Sequence, residues 1–291
     1  MPLTSMNELL ATARSGGYAV CYCESWNLES FQAVVEAAEE MGSPIIAGFN
    51  GGFLGHASRQ RPERLSYYAG LTTALQKSSA QVAFILNETD DFEQIQEGIE
   101  LGFNAVMVEN EHLGLEDYRQ LVKKVVRIAH AKNVSVEAQI GCLPGGSEGG
   151  PAGEVTDPKM ARAFVEDTGI DALGVAIGNV HILTRGKASI DLGQLAKIRE
   201  AVDLPLVIHG GTGFPPEHAR EVIALGVAKF NFGTNLKQTY LATLRAGLAQ
   251  YSEPMNPHPF LGMGGSKDIL VAAREAVKQR VKELNRNYSL R

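Results

Sequence analysis

The stretch YAVCYCESWNLESFQAVVEAAEEMGSPIIAGF, residues 18–49, decides the fold. It opens with a short apolar run at 18–23. It passes into LESFQAVVEAAEEMG, whose apolar residues fall at helical spacing and which ends at Gly42, and returns to an apolar run at 45–49. A glycine at that place suits a left-handed helix cap. Working outward, the same alternation recurs: runs at 82–87, 105–108, 134–139, 172–176, 206–209 and 229–232 are separated by helical patterns such as LEDYRQLVKKVVRIAHAKN, with Gly102 and Gly226 again near helix ends. Eight apolar strands, each followed by a helix, predict an α/β fold, a closed (β/α)8 TIM barrel, as one domain over 1–291. An open doubly wound sheet is disfavoured, because no strand runs into GxGxxG and polar residues end many strands rather than one switch point. The last helix, SKDILVAAREAVKQRVKELNR, is amphipathic and basic toward its end, suited to cover the barrel or a subunit partner.

Composition narrows the function. The 31 glycines suit many tight turns; 27 Lys and Arg against 33 Asp and Glu leave a net charge of -6, with no basic run to attract a phosphate backbone, so no nucleic-acid partner is expected. Cys21, Cys23 and Cys142 form neither a disulfide framework nor a CxxC pair, and a reducing cytoplasm is the expected compartment. The N-terminus lacks a signal-peptide pattern and no stretch approaches the roughly 18 apolar residues of a membrane span, so no membrane association is expected.

In a barrel of this kind the chemistry sits where the strands end. The third strand ends at Asn87-Glu88, the fourth leads to Glu109, the fifth carries Glu137 and Gln139, the sixth leads to His181, the seventh ends at His209 and the eighth carries Asn231. Two imidazoles and several carboxylates at one mouth suit a divalent metal, zinc or another first-row ion. The remaining histidines, His56, His112, His130, His218 and His258, read as hydrogen-bonded core or surface residues. Gly210, Gly211, Thr212 and Gly213 follow the seventh strand, and Asn231, Gly233 and Thr234 lead into the helix after the eighth. Turns there commonly cradle phosphate with backbone N–H groups and a helix N-terminus. Residues 141–156, GCLPGGSEGGPAGEVT, read as a lid or binding loop.

These residues in this order resemble the class II, metal-dependent fructose-bisphosphate and tagatose-bisphosphate aldolases. The likeness runs through YAVCYCESWNLESFQAVVEAAEEMGSP, GFNAVMVENEHLGLEDY, VSVEAQIG, TDPKMARAFVEDTGIDALGVAIGNVH, LPLVIHGGTG and GVAKFNFGTNL. The resemblance implies that His181 and His209 are two of three zinc ligands and that Gly210 to Gly213 and Asn231 to Thr234 bind phosphate. Arg185 falls where a phosphate-binding lysine stands, Glu148 where the lid glutamate moves a proton at the donor carbon, and Glu137 on the first of two glutamates of the fifth strand. A homodimer or homotetramer is also implied.

The departures cluster in the same site. Asn87-Glu88-Thr89 stands for the family Asp-His-Gly, so that Glu88 replaces the first zinc histidine and Asn87 the aspartate that exchanges a proton at the cleaved bond. Gln139 replaces the second glutamate, Glu109 lengthens an aspartate, Ile182 replaces a glycine and Glu24 an asparagine. Glutamate can ligate zinc or manganese, at the cost of one more negative charge on the ion. An amide cannot take a proton near neutral pH, and general base catalysis is typically worth roughly 10²- to 10⁴-fold. Asp90 and Asp91, in TDDFEQ, read as a helix N-cap and first turn rather than as a replacement base. The expectation is a metal-dependent lyase on a phosphorylated ketose or sugar, acting through an enediolate with altered substrate or reaction. Glu88, His181 and His209 would be its metal ligands, with Glu109 and Glu137 behind them or at an alternate metal position. The alternatives are an enediolate isomerase or epimerase, and a non-catalytic sugar-phosphate-binding paralogue.

Overall fold

The computed structural model describes residues 3–109, 112–146 and 153–289. The chain begins with α1 (Met6–Gly16), after which β1 (Val20–Ser25), β2 (Ile45–Asn50), β3 (Val82–Thr89), β4 (Ala105–Val108), β5 (Ser135–Ile140), β6 (Ala172–Val175), β7 (Leu206–Ile208) and β8 (Val227–Phe232) close into a barrel in sequence order. Neighbouring strands are parallel throughout, including β8 on β1, where Val20 to Cys23 pair with Lys229 to Phe232. The expected barrel is therefore the observed one.

Most of the helices are cut to length by residues visible in the sequence. In α2 (Leu28–Met41), Asn27 accepts from Ser30 N while the Ser30 hydroxyl accepts from Asn27 N, and Gly42 ends the helix at φ 59°. After β2 the chain breaks into three short helices, α3 (Gly51–Gly55), α4 (Ser66–Ala69) and α5 (Leu71–Leu75), instead of the single helix the βα rhythm suggests. Next comes α6 (Phe92–Glu100), where Asp91 accepts from Glu93 N and Gln94 N and is thus the N-cap the sequence led us to expect. It is followed by α7 (Leu115–His130), α8 (Pro158–Thr168), α9 (Leu192–Ala201), α10 (Ala219–Ala224), α11 (Thr234–Leu248) and α12 (Ile269–Tyr288). The last packs on both α2 and α11, so it covers the barrel.

Two apolar layers result from the two-residue period of the strands. Outward residues such as Cys21, Cys23, Phe84 and Val136 pack beneath the helices, and inward ones, Val20, Ile46, Ala83, Ile85, Met107 and Val207, fill the barrel. Met6, Leu9, Leu10 and Ala13 of α1 join the inner cluster and plug the N-terminal end. What remains open is the opposite mouth. Among the described residues no helix is long and apolar enough to cross a membrane.

Candidate active site

The inward parity of the strands, continued past the apolar layers, delivers polar side chains to the mouth. Beyond Val20 it brings Tyr22 and Glu24; beyond Ile46, Asn50; beyond Ile85, Asn87; beyond Val207, His209; and on β5 and β8, Glu137 and Gln139, Lys229 and Asn231. Glu88 has the wrong parity and reaches the site by a local irregularity. The β3–β4 register shifts between Leu86 and Thr89, and Glu88 takes a left-handed φ of 54°. Such a bulge re-aims one side chain, and a non-glycine residue held there costs about 1–3 kcal/mol.

A line of charges then crosses the barrel. Lys229 Nζ donates to Glu137 Oε2 at 2.7 Å, and both side chains are wholly buried. His209 Nε2 donates to the other oxygen of Glu137 at 2.8 Å, which leaves His209 Nδ1 facing Glu88 Oε1 at 3.3 Å. Glu88 Oε2 accepts from Asn50 Nδ2 at 2.5 Å and lies 3.8 Å from His181 Nε2. Burial opposes the charge on His209, but the hydrogen bonds to Glu137 and Glu88 outweigh it and lift its pKa to about 9. Burial likewise opposes charge on Glu88, and its contacts with His209 and His181 override that and hold the carboxyl below its ordinary range.

His181 is set by backbone. Its N–H donates to Pro144 O at 3.0 Å and its carbonyl accepts from Gly146 N at 2.7 Å, so the start of the 141–156 loop is zipped onto it. The far end of that loop is tied by Thr156 N to Ala176 O at 2.8 Å. Asn179, fully buried, bridges Val175 O and His209 O with its amide and locks the end of β6 to the end of β7.

Two cavities meet at His181. The smaller, about 280 Å³, lies under the turns after β7 and β8 and is lined by Gly210, Thr212, Asn231, Gly233 and Thr234, with Tyr22, Glu24, Glu88 and Lys237. Glycine is needed there by close approach: a Cβ on Gly211 would lie 2.7 Å from Asn231 O, and one on Gly213 would lie 2.3 Å from Leu183 Cδ2. Lys237 Nζ donates to Glu24 Oε1 at 2.5 Å; burial pushes the Glu24 carboxyl up and Lys237 pulls it back. The larger cavity, about 640 Å³, opens on the other side, toward β4, β5 and α8. Around the mouth, Tyr22 Oη, Asn87 Oδ1, Gln139 Oε1 and both side-chain polar atoms of Asn231 are buried without a partner. Native proteins leave few such groups, and a cluster of them at one opening is the mark of a surface built to receive a polar ligand.

The donors suit a divalent ion in kind and in aim. His209 Nδ1, His181 Nε2 and the Glu88 carboxylate are two imidazole nitrogens and an oxygen, and Glu137 fixes His209 through its far nitrogen as metal-bound histidines are usually fixed. The 3.3 and 3.8 Å between Glu88 and the two rings compare with an edge of about 3.4 Å for tetrahedral ligands with bonds of about 2.1 Å. Glu88 pairs directly with both rings, and among the described residues no three His, Cys, Asp or Glu side chains form a ready-made metal cage.

Residues 4–289 match the family model described as fructose-bisphosphate aldolase class-II. The chain belongs to that family. Among relatives of this class II aldolase family member, the fructose-bisphosphate aldolase of Staphylococcus aureus is 35% identical over 289 residues, 97% of this chain and 96% of its own. The probable fructose-bisphosphate aldolase of Bacillus subtilis is 36% identical over 286 residues, 97% of this chain and 95% of its own. Among solved structures, the YdjI aldolase of Escherichia coli K12 has a TM-score of 0.79 at 28% identity, covering 98% of this chain and 97% of that one.

Against this family frame, the structure brings together Asn87, Glu88, Glu137, His181 and His209, with the glycine turns beside them. Glu109 lines the larger cavity, away from the Glu88 contacts. Arg185 is exposed and is not among the residues lining the cavity under the turns, although its neighbour Thr184 is. Glu148 lies outside the described residues. Tyr22, Asn50, Lys229 and Lys237 were missed by sequence reasoning. A lysine inside the mostly apolar run VAKFNF and a tyrosine between Cys21 and Cys23 were the available signals, since a charged or hydroxyl group in a barrel strand needs a buried partner.

Proposed function

We propose that the chain is a class II aldolase-type lyase, a metal-dependent aldehyde-lyase that cleaves a phosphorylated ketose or sugar. The convergence of Glu88, His181 and His209 beside the two glycine turns carries this reading. Glu88, His181 Nε2 and His209 Nδ1 would hold the ion, zinc or, with the carboxylate favouring harder ions, manganese. When bound, the ion supplies Lewis-acid polarisation of the substrate oxygens and stabilises negative charge developing next to the cleaved bond. Gly210 to Gly213, Asn231, Gly233 and Thr234 cradle the phosphate, and Lys237, one turn into α11, supplies the cation inside the cavity; Arg185, by its family position, adds a second cation from outside it. Tyr22, whose hydroxyl is kept protonated by burial and by the surrounding carboxylates Glu24, Glu88 and Glu137, donates a hydrogen bond to a substrate oxygen. Asn87 orients the hydroxyl at the cleaved bond and takes no proton from it. Glu148, by its family position, moves the proton at the donor carbon. The enzyme works as a soluble homodimer or homotetramer in the cytoplasm.

The test is metal content and turnover together. About one divalent ion per chain by elemental mass spectrometry, lost in His181→Ala, with carbon–carbon cleavage of a ketose phosphate that falls about 10³-fold in the same variant, is the expected result. A second reading, a sugar-phosphate-binding paralogue without turnover, is favoured by the replacement of a proton-accepting group by the Asn87 amide. Saturable binding of the phosphate with no metal and no cleavage would establish it in place of the lyase.

A further inference from the structure

Among the described residues, the non-glycine residues with positive φ are Glu88, Asn133 and Ile182. Asn133 lies in the turn after α7 and is of a type that tolerates the left-handed region. Glu88 and Ile182 both line the cavity under the glycine turns. For Glu88 the strain delivers a metal-facing carboxylate. Ile182, at φ 53°, is the less tolerable of the two, because a β-branched side chain crowds its own backbone there. Its neighbours impose that conformation. Asn179 accepts from Ile177 N and donates to Val175 O and His209 O, and both backbone groups of His181 are tied to residues 144 and 146. On the other side, Leu183 packs so closely on the β7 turn that a Cβ on Gly213 would lie 2.3 Å from its Cδ2. Strain survives where fixed neighbours over-determine the chain. The result is a side chain in the cavity. Ile182 is 37% exposed, and two further exposed apolar residues, Phe53 of α3 and Leu241 of α11, line the same cavity. Leu241 follows Lys237 by one helical turn, and the Lys237 ammonium lies 4.5 Å from the centre of the Phe53 ring, so both border the cation, while Ile182 adjoins the metal-facing His181. Three apolar side chains from separate segments, all open to water at one small cavity, make a surface for a ligand to cover.

We propose that Ile182 is a specificity-determining residue whose side chain packs, with Phe53 and Leu241, on the carbon chain of the phosphorylated ligand between the glycine turns and the metal-facing residues. The inference rests on the lyase reading above for what enters this cavity, a ketose phosphate. A ligand that turns C–H groups toward this roof is favoured over one that turns hydroxyls toward it, because a hydroxyl there loses water and gains no partner.

The experiment is calorimetric titration of the metal-reconstituted protein with dihydroxyacetone phosphate, the smallest ketose phosphate, for the unaltered chain and for Ile182→Val, Ile182→Ala and Ile182→Gly, together with metal content and Tm. Expected is a Kd about tenfold higher in the Ala and Gly variants and within about twofold in Ile182→Val, with metal content unchanged in all three. Ile182→Gly should melt about 2 °C above Ile182→Ala, because of the two only glycine is unstrained at this φ. An unchanged Kd in the Ala and Gly variants, with or without a shift in assembly state, would give the side chain to packing or to a subunit contact and overturn the inference. So would loss of metal in either variant, which would make Ile182 a support for His181, and so would Ile182→Ala melting at or above Ile182→Gly. Each of these leaves the lyase reading standing. No binding of dihydroxyacetone phosphate by the unaltered protein would overturn the lyase reading, and this inference with it.

Discussion

On one side of His181 the chain spends glycines: Gly210, Gly211, Gly213 and Gly233 bring backbone close around a small cavity, and Lys237 stands within it beside Glu24 and Glu88. On the other side it spends carboxylates and an unsatisfied amide around a cavity more than twice as large. Beneath them runs a buried line of Lys229, Glu137 and His209, which reaches the shared His181 through the Glu88 carboxylate. The difference teaches that a barrel mouth need not be one pocket. The loops after β7 and β8 and those after β4 and β5 are free to take different linings, because the strands beneath them fix only where the side chains start.

The comparison breaks first at its floor. Lys229→Met leaves Glu137 charged and buried without its ammonium, and unfolding in urea should show a loss of about 3–5 kcal/mol; a loss below 1 kcal/mol would mean that Glu137 is not held by Lys229. The next effect is one-sided. Gly211→Ala forces a Cβ to within 2.7 Å of Asn231 O and of the Phe232 ring. Steady-state kinetics should show KM for the phosphorylated donor rising about 100-fold, roughly 2.7 kcal/mol, with KM for the aldehyde unchanged. Equal rises in both would merge the two cavities into one site.

A smaller effect of opposite sign is expected from Glu24→Gln. It removes a carboxylate whose charge burial already disfavours and releases Lys237 toward the phosphate, so KM for the donor should fall about tenfold. A rise would place Glu24 among the groups that bind substrate. The remaining effect is in pH. Glu137 and Glu88 outweigh burial and raise His209 to about 9 in the folded chain, from an unfolded value of about 6.5. The folded state therefore holds this proton more tightly. Its contribution to stability is complete below about pH 6.5 and is lost as pH rises through 9. The metal-free protein should melt at progressively lower Tm across that window, and metal uptake, which displaces a proton from Nδ1, should tighten across it. A Tm that climbs with pH there would contradict the direction.

Much of the site was legible because it lies at strand ends. Period two along β5, β7 and β8 places Glu137, His209 and Asn231 inward as soon as the strands are drawn, and the TDDFEQ cap on α6 is as local as a motif can be. Glu88 was legible only as a departure from a family pattern; its route inward, through a register shift and a left-handed φ, depends on how β4 pairs with β3. Arg185 was legible only through the family resemblance; it is exposed, next to Thr184 of the cavity wall, and where its side chain reaches depends on how the loop packs.

The sequence by itself determined the barrel, the order of its strands, the inward parity of most of the mouth and membership of the family. The first three follow from short-range periodicity and capping, which each segment carries without reference to the rest, whereas family membership rests on the likeness of whole motif blocks. Only the tertiary structure decided that His209 is held by Glu137, which Lys229 also holds, that Lys237 faces Glu24, and that two cavities of unlike size and lining meet at His181. Those contacts join residues 72, 92 and 213 positions apart, and no local pattern records which buried charge will find which partner when the barrel closes.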